Sequence, residues 1–438
     1  MIIVSLSSEV NAVGAIGVTG AFLSLVITLF IGFSVGVNVV VARCIGEGNE
    51  EKISTAVHTA VCLGLLLGIS GAAIGVGISR LVLTAMGVMG NLLDLAVKYT
   101  CLYFVGLPFV ALTNFLLAIF RAKGNSRISL IVLSLAGILN VGLNSFFVLV
   151  LNMSVDGVAI ATVLANVFSF VVLFIKLMRE KDSTVFSFKK LKIDKVAIKE
   201  ILVIGFPAAI QSAIIEFSNV VIQSSIVTVN NLVCPPDSIY QPVVDGCSAG
   251  RNLSAFVYSS QNAVYQGVVT FTSQNMGAKK PCRVYRVMGA GYLLTTIIGL
   301  SVIGTIFLNK TALLGFYGIT GGEEGSLEAV ALSAANTQLK YECLPYFLCG
   351  ILEVGSGILR GMGKSTVAMM ISLIGTCALR VVWIWLAFPF NKTLEMLYIC
   401  YPISWFLTGL VLFICAITFL SKQVKSIQKG CENTPYND

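Results

Sequence analysis

Long apolar stretches alternate with short polar connections along most of this 438-residue chain. Each stretch is long enough to cross a bilayer as a helix, which takes about 20 mostly apolar residues. No alternation of apolar and polar positions at strand length is visible, so the pattern favours a helical bundle over a membrane barrel. It predicts eleven spans, over residues 12–44, 54–79, 92–120, 128–151, 157–178, 199–229, 252–275, 284–308, 330–359, 366–389 and 394–420.

The composition agrees with this pattern. Charged residues make up 11% of the chain and hydrophobic residues 56%, whereas an ordinary soluble protein has roughly 25% charged residues. The mean hydropathy is +0.91. A soluble fold could not cover so much apolar surface with so few charges, so the sequence predicts an all-α integral membrane protein.

The distribution of Lys and Arg predicts the orientation. Of the 29 basic residues, 22 fall in one set of alternate loops and in the C-terminal tail. Because basic loops stay cytoplasmic, we expect a multi-pass protein of the cell membrane with a cytoplasmic C-terminus. The net charge of +8 follows from this bias, and no nucleic-acid partner is expected because the charges are spread over short loops. The remaining 7 basic residues are Arg80, Lys98, Arg251, Lys310, Lys340, Arg380 and Lys392.

One phrase occurs twice, as "LAIFRAKGNSRIS" at 117–129 and "GILRGMGKST" at 357–366. A second pair, "VVVARCIGEGNEEK" and "VVTFTSQNMGAKKP", aligns at an offset of 231, close to the offset of 239 for the first. The repeat predicts two pseudo-symmetric six-helix bundles related by an axis along the membrane normal, as in many secondary transporters. In both copies the Arg and Gly are expected to end a helix rather than to act chemically. The matched positions are Arg121, Gly124 and Ser126 with Arg360, Gly363 and Ser365.

The two copies differ at their beginnings. The predicted span 199–229 leads the second copy and has no counterpart in the first. We therefore expect six helices per unit, with the first helix of the first unit missing from this sequence; a true eleven-span protein is the alternative. The expected domains are an N-terminal bundle of five helices (1–180), a cytoplasmic linker (181–198), a C-terminal bundle of six helices (199–421) and a cytoplasmic tail (422–438).

Several stretches together resemble the multidrug and toxic compound extrusion (MATE) family of antiporters. They are "VVVARCIGEGNEEK", "DGVAIATVLAN", "GFPAAIQSAIIEFSNVVIQSS", "TFTSQNMGAKK", "EVGSGILRGMGKS" and "YPISW". The resemblance implies twelve helices in two lobes around a V-shaped cavity. It also implies export of amphipathic, often cationic small molecules in exchange for sodium ions or protons, with no other cofactor. We expect a monomer in the lipid bilayer. The missing first helix, which carries an acidic residue in many relatives, departs from the family pattern.

Ionisable residues inside a bilayer are costly and are functional candidates by default. Glu216 lies near the middle of its span, and Ser212, Asn219 and Gln223 share its helix face. Asn262 and Gln266 begin a similar polar stripe on the next helix. The two stripes predict the walls of one wet cavity, in which Gln211 is also placed; hydrogen bonding between helices is the alternative.

Glu353 is the second deep carboxylate, and Arg380 is too deep to be a loop residue. We expect Glu216 and Glu353 to couple transport to a cation and Arg380 to lie in the substrate cavity. A Glu353–Arg380 ion pair is the alternative. In the mechanism that this predicts, sodium or a proton neutralises a carboxylate that also attracts a cationic substrate, so the two compete for one charge.

Other signals carry less weight. No metal-ligand spacing and no Walker A sequence is present. Cys234 and Cys247 share one predicted external loop, so a disulfide is possible there. Gly64, Gly68, Gly71 and Gly75 predict a helix packing face, while Pro108 and Pro207 are expected to bend their helices statically rather than as hinges. The alternative function is a lipid-linked oligosaccharide flippase of similar architecture. A membrane-embedded enzyme is disfavoured because clustered His, Asp or Cys residues are not seen.

Overall fold

The computed structural model describes residues 12–234, 240–323 and 325–432, with side chains from 14 to 426 apart from the same two gaps. Within these ranges the chain forms helices and turns and contains no strand, which confirms the all-α prediction. Parts of the sequence predictions lie outside the described residues: the N-terminal segment 1–11, the middle of the loop between Cys234 and Cys247, and the last residues of the tail.

The chain divides into two compact units, Met1–Ala213 and Ile214–Asp438, and the boundary falls inside one helix. Among the described residues, each unit contains a buried hydrophobic core of its own. The helices of the first unit are α1 (Ala12–Glu47), α2 (Glu50–Ala85), α3 (Gly90–Val105), α4 (Leu107–Ala122), α5 (Ser126–Ser145, extended by a π-helical turn Phe146–Val150), α6 (Val155–Met178) and the first part of α7 (Lys195–Val233).

The second unit begins in α7. Two of its spans include π-helical segments, at Leu339–Cys343 and Leu373–Ala378. Its helices after α7 are α8 (Pro242–Gly277), α9 (Cys282–Leu308), α10 (Lys310–Gly315), α11 (Leu327–Gln338), α12 (Phe347–Gly361), α13 (Ser365–Ser372), α14 (Leu379–Leu386), α15 (Leu394–Tyr398) and α16 (Cys400–Glu432).

Each of the eleven predicted spans coincides with a helix or a run of helices, although not all of them are equally apolar. Among the described residues, nine helical spans are long and apolar enough to cross a membrane, and α3 with α4 makes a tenth, bent by 46°. The eleventh, α8, is a helix of 36 residues that does not belong to this apolar set. Its polar stripe, which the sequence analysis assigned to a cavity wall, lowers its hydropathy.

The repeated Arg–Gly phrase forms the same helix end in both units. Gly124 has φ +81° and Gly363 has φ +79°, a left-handed conformation that glycine adopts without a steric penalty. Their N–H groups donate to Arg121 O at 2.7 Å and to Arg360 O at 2.8 Å. The predicted helix-ending role is confirmed, since these bonds satisfy carbonyls that the last helical turn leaves open.

The glycine stripe of α2 is a packing face, as predicted. A Cβ atom placed on Gly68 would lie 2.6 Å from Pro108 Cα, and one on Gly75 would lie 2.8 Å from the Phe104 ring. The bend between α3 and α4 therefore rests directly against glycines. This close fit to backbone atoms supports the static bend that was predicted for Pro108.

The segment between α6 and α7 is attached to the first unit by polar contacts. His58 is buried; its Nδ1 lies 2.7 Å from Ser54 O, and its Nε2 accepts from Ser187 N–H at 3.0 Å. Lys123 forms ion pairs with Glu180 at 2.6 Å and Asp182 at 2.7 Å. These contacts hold the predicted linker against the ends of α2 and α4.

The contacts of the linker also change the pKa of Asp182. Partial burial alone would raise the pKa of its carboxyl, but hydrogen bonds from Lys123 and Thr184 outweigh the burial. The pKa of Asp182 is consequently lower than the ordinary aspartate value. Its ionised form is thus the one that the linker contacts stabilise.

Candidate functional site

The polar stripe of α7 lies on one continuous helix, as predicted. Glu216, Asn219 and Gln223 are half-buried and belong to the second unit. Ser212 and Gln211 lie just before the unit boundary; the Ser212 hydroxyl donates to Ala208 O at 3.1 Å, and Gln211 is 3% exposed. Gln211 is therefore buried, whereas Ser212 is half-buried like the three second-unit residues.

Glu216 and Glu353 have a common neighbour in the second unit. The phenol of Tyr258 on α8 interacts electrostatically with both carboxylates. Its side chain is 45% exposed, and Glu353 is half-buried like Glu216. Among the described residues, no salt bridge joins Glu216 to a basic side chain. Two half-buried carboxylates in the electrostatic neighbourhood of one phenol are costly inside a bilayer unless a cation neutralises them, so they are candidates for cation binding.

The α8 stripe is more buried than the sequence suggests. Asn262 is half-buried, but Gln266 is only 9% exposed, and its Oε1 has no hydrogen-bond partner among the described residues. The neighbouring Gln261, which the sequence analysis did not select, is 1% exposed, and within the described chain neither of its polar side-chain atoms has a partner. Its amide packs closely against two glycines. A Cβ atom on Gly299 would lie 2.6 Å from Gln261 Nε2, and one on Gly350 would lie 2.8 Å from Gln261 Cδ.

A second group of charged residues lies deeper in the same unit. Glu342, in the π-helical turn before α12, is 6% exposed and accepts a hydrogen bond from Gln338 Nε2 at 2.7 Å. The same Nε2 lies 3.2 Å from Ser254 Oγ. Glu342 interacts electrostatically with Arg251 and Arg380. A π-helical turn often marks a functional position, and here it carries a buried carboxylate that interacts electrostatically with two cations.

Arg380 has partners inside this unit. It is 4% exposed, its Nε donates to Ser404 Oγ at 3.1 Å, and its guanidinium carbon lies 4.1 Å from the centre of the Tyr401 ring. The alternative pairing with Glu353 is wrong, because no salt bridge joins the two among the described residues and Glu353 interacts instead with Arg360. The assignment of Arg380 to the substrate cavity stays a prediction, and its burial does not favour it.

Arg251 is the functional candidate that the sequence analysis missed. Its charge placed it among loop residues, whereas α8 begins at Pro242 and includes it. Its Nη2 donates to Gln223 Oε1 on α7 at 2.6 Å. Because Gln223 lies ten residues before the end of α7 at Val233, this contact is about 15 Å along the helix from that end. The signal in the sequence that could have identified Arg251 was Gln223, a polar residue at a similar depth on the neighbouring helix α7.

The possible disulfide of the predicted external loop is not formed. Cys234 and Cys247 are both buried free thiols. Cys247 packs in a hydrophobic core cluster of the second unit, where cysteine behaves as a small apolar residue.

An all-helical membrane-spanning chain with a few interior charges and an internal duplication defines a polytopic protein of the secondary-transporter class. A family model described as MatE matches residues 1–146 and again residues 217–386. The chain therefore belongs to the MatE family, that of the MATE multidrug efflux transporters. The double match supports the internal repeat.

Relatives and solved structures agree with this assignment. The chain is 24% identical to the probable multidrug resistance protein YoeA of Bacillus subtilis over 90% of this chain and 87% of the relative. It is 26% identical to the multidrug export protein MepA of Staphylococcus aureus over 48% and 47% of the two chains. These relatives do not favour the flippase alternative.

The fold is similar to that of an outward-facing multidrug resistance MATE transporter of the MOP superfamily, with a TM-score of 0.84 and 18% identity over 97% of this chain and 91% of that one. A MOP superfamily transporter from Pyrococcus furiosus gives a TM-score of 0.83 and 18% identity, over 96% and 90% of the two chains. At this level of identity the likeness shows the fold.

Proposed function

We propose that this protein exports amphipathic cationic small molecules across the cell membrane in exchange for sodium ions or protons. The observation that supports the proposal is that Glu216 and Glu353 are two half-buried carboxylates of the second unit that interact electrostatically with the same phenol, that of Tyr258. The names of the relatives as multidrug resistance and export proteins support the substrate class.

The two carboxylates have different roles in this proposal. Glu216 has no salt-bridge partner among the described residues, so its negative charge is available to a substrate cation or a coupling ion. Glu353 interacts with Arg360, which is 5% exposed. A change of charge at Glu353 therefore alters its electrostatic interaction with Arg360, which lies in the last turn of α12 at the predicted cytoplasmic end. In this proposal, neutralisation of Glu353 weakens that interaction and allows the helices of the second unit to repack.

Exchange follows from competition for one charge. A bilayer interior disfavours an uncompensated carboxylate, so Glu216 binds either a coupling ion or a cationic substrate. Simultaneous binding of both would leave an excess positive charge, which is equally unfavourable. Binding of the coupling ion to Glu216 thus releases the substrate. The C-terminal tail is expected on the cytoplasmic side of the membrane.

Transport by the purified protein in proteoliposomes tests the proposal. Export of a cationic dye is measured with a sodium gradient and with a proton gradient, each applied alone, and one of them should drive it. Glu216→Gln should abolish gradient-driven export, and Glu353→Gln should reduce it. Glu395→Gln, at an exposed position, is the matched control. Wild-type coupling in Glu216→Gln vesicles would remove Glu216 from the mechanism.

A further inference from the structure

Gln223 on α7 and Arg251 on α8 together form a surface of the second unit, here called the donor wall, that presents hydrogen-bond donors. Arginine carries donors and no acceptor, so Gln223 must turn its carbonyl oxygen toward Arg251, and the observed Nη2–Oε1 distance is 2.6 Å. The NH₂ group of Gln223 then remains as its free functional group. Both side chains are half-buried, so the pair offers only donors to a molecule beside it.

The charges around this wall are not balanced. Arg251 and Arg380 both interact electrostatically with the carboxylate of Glu342. Within the described part of the chain, no carboxylate oxygen lies within the 4.0 Å of a salt bridge from either guanidinium. Arg380 is stacked on Tyr401 at 4.1 Å and bonded to Ser404 at 3.1 Å. Arg251 is half-buried and bonds to Gln223 at 2.6 Å, and its guanidinium has five N–H donors, so it has donors to offer to an external partner as well.

The donor wall and the acidic site share one face of α7. Gln223 follows Glu216 by seven residues, or two helical turns, so the two side chains lie about 10 Å apart along one stripe. The face of α7 thus carries a negative charge at one level and a donor pair beside a positive charge at the next. An arginine fork matches a planar carboxylate in geometry and in charge.

We propose that Arg251 and Gln223 bind the carboxylate of amphoteric substrates, whose cationic group lies about 10 Å away at Glu216. This inference rests on the proposed function. It specifies that the exported molecules include zwitterionic amphipathic ones, which carry a carboxylate as well as a cationic group. In this proposal Glu342 supplies a negative charge near Arg251. It stabilises the charge of Arg251 electrostatically and is itself fixed by its 2.7 Å hydrogen bond from Gln338.

A matched pair of dyes tests the inference in proteoliposomes. One is a rhodamine with a free carboxylate, which is zwitterionic near neutral pH, and the other is its methyl ester, which is a cation of nearly the same shape. Arg251→Gln should reduce export of the free-carboxylate dye at least about tenfold relative to the ester, a difference of about 1.4 kcal/mol. Arg251→Lys should restore part of the loss, because it returns the charge without the fork.

Gln223→Glu provides an independent variant that keeps Arg251 paired. Its new carboxylate would occupy the guanidinium and repel the carboxylate dye, so it should show the same selective loss. Thermal unfolding in detergent monitors the folding of each variant. Equal losses of both dyes in both variants, or undiminished export of the free-carboxylate dye, would contradict the inference alone. Wild-type vesicles that export neither dye would contradict the proposed function as well.

Discussion

Two buried glutamines of the second unit differ in how their amides are satisfied. Gln338 is 0% exposed and its Nε2 donates to Glu342 at 2.7 Å, although its Oε1 has no partner among the described residues. Gln261 is 1% exposed, and neither its Nε2 nor its Oε1 has a partner there. A buried polar group without a partner costs roughly 1–3 kcal/mol. The sequence cannot distinguish the two, because both are glutamines on polar helix faces.

We predict that Gln261→Met stabilises the protein and that Gln338→Met destabilises it. Methionine has nearly the shape of glutamine and removes the unsatisfied amide of Gln261, which should raise the free energy of unfolding by about 1–3 kcal/mol. At Gln338 the same change leaves the carboxylate of Glu342 without its donor. Thermal unfolding in detergent measures both. A lower melting temperature for Gln261→Met would show that the amide of Gln261 is bonded after all, for instance through ordered water.

Which carboxylates and cations lie inside the bundle was predictable only in part. Glu216, Glu353 and Arg380 stood out because each interrupts a long apolar stretch. Arg251 and Glu342 did not, since their surroundings in the sequence are polar enough to resemble a loop or a helix end. Burial of such residues depends on which helices pack against them, and this is decided by long-range contacts with α7 and α16 rather than by local sequence.

At the scale of the element, the sequence predicted where helices run but not their internal breaks. Apolar length and glycine punctuation were sufficient for the spans and for the helix ends at Gly124 and Gly363. The π-helical turns at Leu339–Cys343 and Leu373–Ala378 were not predictable. Such a turn has no composition of its own, and the packing around it decides whether one extra residue is accommodated.

Helix α1 crosses the first part of α7 at glycines within the first unit. A Cβ atom on Gly36 would lie 2.2 Å from Ile201 O and 2.9 Å from Gly205 N. These neighbours are backbone atoms of a long helix, so they cannot move aside as a flexible side chain would. The contact therefore requires a residue without a Cβ atom at position 36.

We predict that Gly36→Ala destabilises the first unit by about 1–3 kcal/mol, the usual cost of forcing an extra methyl group into a packed interface. Gly20→Ala on the same helix is the matched control, because no atom lies within 4 Å of a Cβ atom placed there. Thermal unfolding of both variants in detergent gives the comparison. Equal melting temperatures for Gly36→Ala and wild type would mean that α1 and α7 can separate at no cost.

At the scale of the whole molecule, the internal repeat was the most informative feature of the sequence. Two short phrases at nearly equal offsets predicted a duplicated helical unit. The same glycine-ended helix in both units and the double match of the family model agree with that prediction. The relative placement of polar stripes on consecutive helices followed from helical periodicity alone, whereas the partners of each polar group did not.

The orientation in the membrane remains a prediction, and the positions of two exposed residues allow a direct test. Cys282, the first residue of α9, is an exposed thiol next to a basic loop. Lys310 begins α10 just beyond the opposite end of α9 and is also exposed. Because 22 of the 29 basic residues fall in the C-terminal tail and in the set of loops next to Cys282, the positive-inside bias places Cys282 at the cytoplasmic side.

In a variant that retains only Cys282, a membrane-impermeant maleimide should label the protein in lysed cells and not in intact cells. With Lys310→Cys as the single cysteine, intact cells should be labelled, and dye export by both variants serves as the control for folding. The reverse labelling pattern would invert the protein in the membrane and, with it, the direction of the proposed export.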